Sequence, residues 1–322
     1  MTKIIIGFFI FCIVLFLYLH IQFHLKTSDD LEMYEIEELS KDRFEEICDL
    51  RQPVLFDFPS EKIIQTTNKD YILNNYHAFD VKIRNALDTD YNSEIYIPLG
   101  LRDACKLFDD DKSGCHYSEN NNEFLQETGA IKSMQYNDEY LRPYMVSNCN
   151  YDILMASEGT VTPLRYNLNY RNYFMVTQGS VKIKLSPPKN GRYLNSVCDY
   201  ENFEFRSPVN PWDPQPQFKA DFDKVKCLEI TVVAGKVIYI PAYWWYSIKF
   251  EKGSSISSFY YRTYMNNAAI CNHFGMYALQ IHNVKRNVVK TVALDSPIPN
   301  EGTSLSELPT VDESTEQKKS DI

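Results

Sequence analysis

An unbroken apolar run from Ile4 to Ile21 opens the chain, and no polar stripe divides it. A core helix carries such a stripe, whereas a run of about 18 apolar residues is long enough to span a bilayer. A cleaved leader closes on small residues, but Tyr18, His20, Gln22, Phe23 and His24 stand here. The pattern predicts a single uncleaved anchor within residues 1–26 that crosses a membrane through residues 4–21. Residues 27–39 are rich in Asp and Glu and read as a solvated acidic spacer. Ser40 can then cap a helix that places Phe44, Ile47 and Cys48 on one face, and Pro53 to Phe58 reads as a short strand.

Residues 60–130 are mixed. Ile95 to Leu99 has the pattern of a strand. Asp109-Asp110-Asp111-Lys112-Ser113-Gly114 looks like a calcium loop but lacks its spaced acceptors and terminal Glu, so it reads as a polar surface turn. From about residue 150 the texture changes to short β-like runs at 153–157, 162–167, 173–177, 181–186, 228–233, 236–240, 244–250 and 255–264. Glu158-Gly159, Gln178-Gly179, Asn190-Gly191, Ala234-Gly235 and Lys252-Gly253 punctuate them. Many short strands with such turns predict a mainly β fold with flanking helices, its jelly-roll core at about 150–265. Pro208, Pro211, Pro214 and Pro216 make 195–225 a long surface excursion rather than central strands. Residues 266–290 turn helical, closing a domain of residues 40–294. Residues 295–322, rich in Ser, Thr and Glu, read as a disordered acidic tail.

The net charge is −10, and the tail carries half of it. Such acidity excludes a general nucleic-acid binder, which needs a basic face to displace counterions. Lys3 and Lys26 flank the apolar run and leave its orientation nearly tied. Outside the anchor there are seven cysteines, an odd number, and no Asn-x-Ser/Thr acceptor. Both suit a main domain on the cytosolic side.

Gly235-Lys236-Val237-Ile238-Tyr239-Ile240-Pro241 and the following Ala242-Tyr243-Trp244-Trp245-Tyr246 resemble a segment of the cupin-like, JmjC-related oxygenases that ends Trp-Trp-His. The helix leading into a Pro-started strand near residue 53 is similar to the opening of that family. The resemblance spans roughly residues 36–290 and is clearest over 161–188 and 228–262. It implies a double-stranded β-helix that holds Fe(II) through a His-x-Asp/Glu pair and a distant His. The matching positions here are Arg165, Asn167 and Tyr246.

Strand alternation puts Arg165 and Asn167 on one face and Leu164 and Tyr166 on the other. An Fe(II) oxygenase needs two imidazoles and a carboxylate on one face. Arg165 keeps its proton and has no lone pair to give. Asn167 offers only a neutral carbonyl, and a Tyr246 phenol ionises near pH ~10. The position that the family gives to a 2-oxoglutarate-binding Lys falls at Val181, and only a one-residue bulge would turn Lys182 inward. Trp244, Asn172, Val181 and Lys182 are the candidate pocket lining. A buried guanidinium at 165 needs an acceptor, and Asn167 and Tyr246 are candidates.

The reading is a membrane-anchored, catalytically inactive domain with a structural, scaffold or ligand-sensing role and no expected cofactor. The family resemblance implies the alternative, an Fe(II)/2-oxoglutarate hydroxylase or demethylase. A second alternative is a metal-free binder of a small anion through Arg165. A protein partner fits the scaffold role.

Overall fold

The computed structural model describes residues 2–37, 40–58, 61–87 and 96–283. The acidic tail at 295–322 and the last part of the helical stretch, 284–290, lie outside the described residues.

The apolar run folds as one helix, Thr2–Leu25. At 1.5 Å per residue it is about 36 Å long, long and apolar enough to cross a membrane. Its C-terminal end is fixed to the domain. His24 Nε2 lies 3.0 Å from Thr263 Oγ1. The Arg51 guanidinium sits over the rings of Phe23 and Tyr170, 5.2 and 4.5 Å from their centroids. A cation beside the last carbonyls of a helix is favourable, because the helix dipole is negative there.

The stretch read as a solvated spacer is instead docked. Tyr34–Ile36 forms a parallel edge strand against Val54 to Phe56, and Leu31 and Met33 pack on the core. Asp29 accepts a hydrogen bond from the Lys189 backbone at 3.0 Å. The acidic composition hid this, because the apolar residues that pack inward, Leu31, Met33 and Ile36, are few among the acids.

Two sheets carry the domain. The larger has nine strands among the described residues, in the order Tyr34–Ile36, Val54–Asp57, Lys236–Pro241, Arg171–Gln178, Ser255–Thr263, Val146–Ala156, His116–Ser118, Asp80–Asn85, Ile97–Gly100. The smaller runs Val197–Asp199, Glu204–Arg206, Arg165–Tyr166, Trp245–Phe250, Ser180–Ser186, Leu228–Val233. Phe174, Val176, Ile238, Ile240 and Ile256 of the larger sheet meet Val181, Ile183, Leu185, Tyr246 and Ile248 of the smaller in one core. On the far face of the larger sheet, Tyr173, Met175, Tyr239 and Phe259 pack under helices through Phe44, Ile63, Leu101 and Phe124. Central strands buried on both faces read as continuous apolar runs, which is why Tyr173 to Val176 shows no polar alternation.

Two predicted elements differ. The segment 162–167 keeps regular pairing only at Arg165–Tyr166. The remainder is held by single bonds such as Thr162 N–H to the Ile248 carbonyl, 2.8 Å. The 195–225 excursion contributes two strands, Val197–Asp199 and Glu204–Arg206, and the helix Pro216–Phe222. Its prolines fall outside both strands, so they do not bar pairing.

The Asp109 to Gly114 turn is a staple rather than a loose loop. Asp111 accepts hydrogen bonds from the backbone N–H groups of Ser113, Gly114, Cys115 and His116 and from Ser157 Oγ. Gly114 has φ +61°, and a Cβ there would stand 2.6 Å from the Glu158 carbonyl oxygen. Gly114→Ala is expected to cost about 1–3 kcal/mol in thermal unfolding. Gly253→Ala, at φ +66° but in open space, should cost less and separates backbone strain from collision.

Candidate functional site

Register brings the three candidate positions together. Arg165 pairs with Tyr246 on one side and Arg206 on the other. Asn167 Nδ2 donates to Tyr246 Oη at 3.1 Å, and the Arg165 guanidinium lies 5.7 Å from the Tyr246 ring centroid. All three line a cavity of about 500 Å³ between the sheets' open ends.

The acceptor for Arg165 is neither Asn167 nor Tyr246 but Glu119. Arg165 Nη2 donates to Glu119 Oε2 at 2.5 Å and Nη1 to Oε1 at 3.0 Å. Arg84 joins from behind, with Nη1 3.2 Å from Glu119 Oε1 and 2.9 Å from Glu204 Oε1. Tyr96 Oη donates to Glu119 at 3.0 Å, and Asn120 Nδ2 donates to Tyr96 Oη at 2.6 Å. Glu119 follows the strand His116–Ser118 directly and is buried.

Burial pushes the Glu119 carboxyl up, but the Arg165 and Arg84 guanidiniums outweigh it and hold it down at about 2. Burial raises the Tyr246 phenol, and the neighbouring Arg165 only partly offsets this. Burial also lifts Asp152 to about 7, against the backbone N–H donors of Asn121 and Asn120.

This donor set does not fit Fe(II). The guanidinium is paired and cannot ligate, the phenol is held protonated, and the two nearest carboxylates, Glu119 and Glu204, are spent on Arg165 and Arg84. Among the described residues, the one group of His, Cys, Asp and Glu close enough to share a cation is Asp111, Cys115 and His116, with donor atoms within 4.8 Å. Asp111 Oδ2 there already accepts from Cys115 N, His116 N, His116 Nδ1 and Ser157 Oγ, which accounts for the cluster as a loop staple.

Four candidate lining residues are not at the cavity. The Trp244 indole N–H is bonded to the Arg51 carbonyl at 3.1 Å, inside the core. Asn172 is buried between strands, with Nδ2 on the Ile240 carbonyl at 3.1 Å. Val181 belongs to the core between the sheets. Lys182 stays on the outer face, 3.5 Å from Glu251, because the pairing of Ser180–Ser186 with its neighbours runs without a bulge. The sequence reading missed Glu119, Glu204, Tyr96, Asn169 and Arg262. The need of a buried Arg165 for an acid was the one available signal, and it did not say which acid.

The family described as cupin-like domain matches residues 40–267, which covers most of the chain. The protein therefore belongs to the cupin-like domain family. It is also similar to a JmjC domain-containing protein D of Dictyostelium discoideum, 28% identical over 102 residues. That alignment covers 32% of this chain and 22% of the relative, so the chain matches about a fifth of that relative's length.

Proposed function

We propose that this chain is a metal-free cupin-like module, tethered to a membrane by its first helix, that acts as a scaffold or ligand-sensing domain and not as an oxygenase. One observation carries the reading: the bidentate Arg165–Glu119 pair sits beside Asn167 and Tyr246, where the family resemblance would seat its metal. Displacing that pair for a cation would strand a buried guanidinium, which is costly. The helix Thr2–Leu25 supports the tether. Seven free cysteines outside that helix support a domain on the cytosolic side.

A small anion gripped by Arg165 alone is less well supported, because both terminal nitrogens of that guanidinium are already taken by Glu119. The test is metal analysis of the full chain in detergent, together with 2-oxoglutarate decarboxylation after incubation with Fe(II). Iron well below stoichiometry and no turnover are expected. Stoichiometric iron with turnover would overturn the reading.

A further inference from the structure

We infer that the cavity beside Arg165 binds an uncharged saccharide. This names a ligand for the metal-free module proposed above and rests on that reading.

Charge comes first. The ionisable wall consists of three carboxyls, Glu119, Asp152 and Glu204, and two guanidiniums, Arg165 and Arg262. Arg165 is matched by Glu119. Arg262 Nε donates to Asn169 Oδ1 at 2.6 Å and lies over the rings of Phe203 and Phe274. Glu119 and Glu204 are held in turn by Arg84, so the ionised carboxylates of the wall are already matched inside the protein, and a neutral ligand needs no counter-charge from it.

Much of the remaining polar wall is amide. Asn122, Asn148, Asn150, Asn167, Asn169 and Asn202 line the cavity. An amide carries donors and an acceptor, as a hydroxyl does, so a wall of amides matches a ring of hydroxyls without regard to charge. Asn167 gives its Nδ2 to Tyr246, which fixes the amide and leaves its carbonyl oxygen to accept.

Aromatic faces complete the fit. Tyr166 is stacked on Phe205 at 5.2 Å and Phe203 on Phe274 at 5.5 Å, and Tyr166, Phe203 and Phe205 all line the cavity. Tyr166 and Phe203 are only half-buried, and rings of this kind can bury the C–H face of a pyranose while the amides take its edge. Phe203 is held at φ +54°, a backbone cost that clusters at ligand sites. The volume of about 500 Å³ lies within the ordinary range for small-molecule pockets and suits a mono- or disaccharide.

The test uses the full chain in a detergent without a sugar headgroup. Thermal shift and calorimetry are run with glucose, mannose, galactose, N-acetylglucosamine and cellobiose, and in parallel with 2-oxoglutarate, succinate, phosphate and adenosine. Saturable binding of at least one sugar is expected. Asn167→Ala and Phe203→Ala should each weaken it about tenfold, the loss of roughly one good contact. If Asn167→Ala fails to fold, Phe203→Ala carries the comparison. Saturation by none of the sugars, a response confined to the anions or adenosine, or sugar affinity untouched by the variants would each overturn the inference. Iron content of the same sample separates the two proposals. Iron-poor protein that ignores sugars ends the saccharide inference alone, and stoichiometric iron with 2-oxoglutarate turnover ends the metal-free reading.

Discussion

Glu119→Ala is expected to lower the stability of the domain by about 3–5 kcal/mol, because it leaves the buried Arg165 cation with only a 3.5 Å approach to Glu204, which Arg84 also holds. Arg165 loses both hydrogen bonds of its fork, and Arg84 loses one of its two carboxylates. At the usual scaling for a domain of this size the unfolding midpoint should fall by roughly 10 °C. The double variant Glu119→Leu/Arg165→Met should recover much of that loss, since apolar replacement of a buried pair is often neutral. Arg84 keeps Glu204 in either case. A single variant that unfolds within 2 °C of the parent, on the order of the scatter between neutral surface substitutions, would show that the pair contributes little.

The same carboxylate gives a pH signature. Its pKa in the folded protein is about 2, below the unfolded value of about 4.3. A depressed acid contributes stability that is fully present above the unfolded pKa and is lost as pH falls toward the folded one. Glu119→Gln should therefore flatten the stability profile between about pH 4.5 and 2. Asp152 has the opposite sign: burial raises it to about 7, so it weakens the fold progressively as pH rises from about 4 toward 7.

Arg171→Ala should cost about 3–5 kcal/mol as well, toward the lower end. Arg171 is fully buried and ties the helix Lys41–Cys48 to the larger sheet. Nη2 reaches Glu45 at 3.0 Å and Asp49 at 2.5 Å, while Nη1 reaches the Cys48 carbonyl and Tyr239 Oη. Its guanidinium also lies 4.1 Å from the Tyr170 ring centroid. Asp49 is partly exposed, so water takes up some of its loss. Arg171→Lys should rescue little, because an ammonium cannot span two carboxylates, a carbonyl and a phenol at once. Thermal unfolding of both variants checks this, and a Lys variant as stable as the parent would show that point charge alone suffices.

The strands between residues 171 and 186 and between 228 and 263 were legible because glycine turns fix where each run ends. Leu228–Val233, Lys236–Pro241 and Ser255–Thr263 differ from their predicted bounds by a residue or none. The helices between Glu61 and Asn137 were not legible. They are short, seven to ten residues each, and their apolar faces are completed only by the sheet beneath them. Alternation along 162–167 with the motif at Trp244 to Tyr246 was enough to point Arg165 and Asn167 toward Tyr246. Glu119 stayed hidden because it lies 46 residues from Arg165, and nothing local in Ser118-Glu119-Asn120 sets it apart from a surface acid. Glu204 was lost inside a Pro-rich stretch whose composition describes its ends and not its middle.

The docked residues 27–37 leave no slack between the helix Thr2–Leu25 and the domain. A loose stalk would let the domain tilt and swing through a wide cone above a bilayer. Here the edge strand Tyr34–Ile36 and the grip of Arg51 and Thr263 on the end of the helix join stalk and body as one lever. In a membrane, the helix tilt would then set the angle of the cavity mouth, and a change in bilayer thickness would turn that mouth without altering any bond inside the domain.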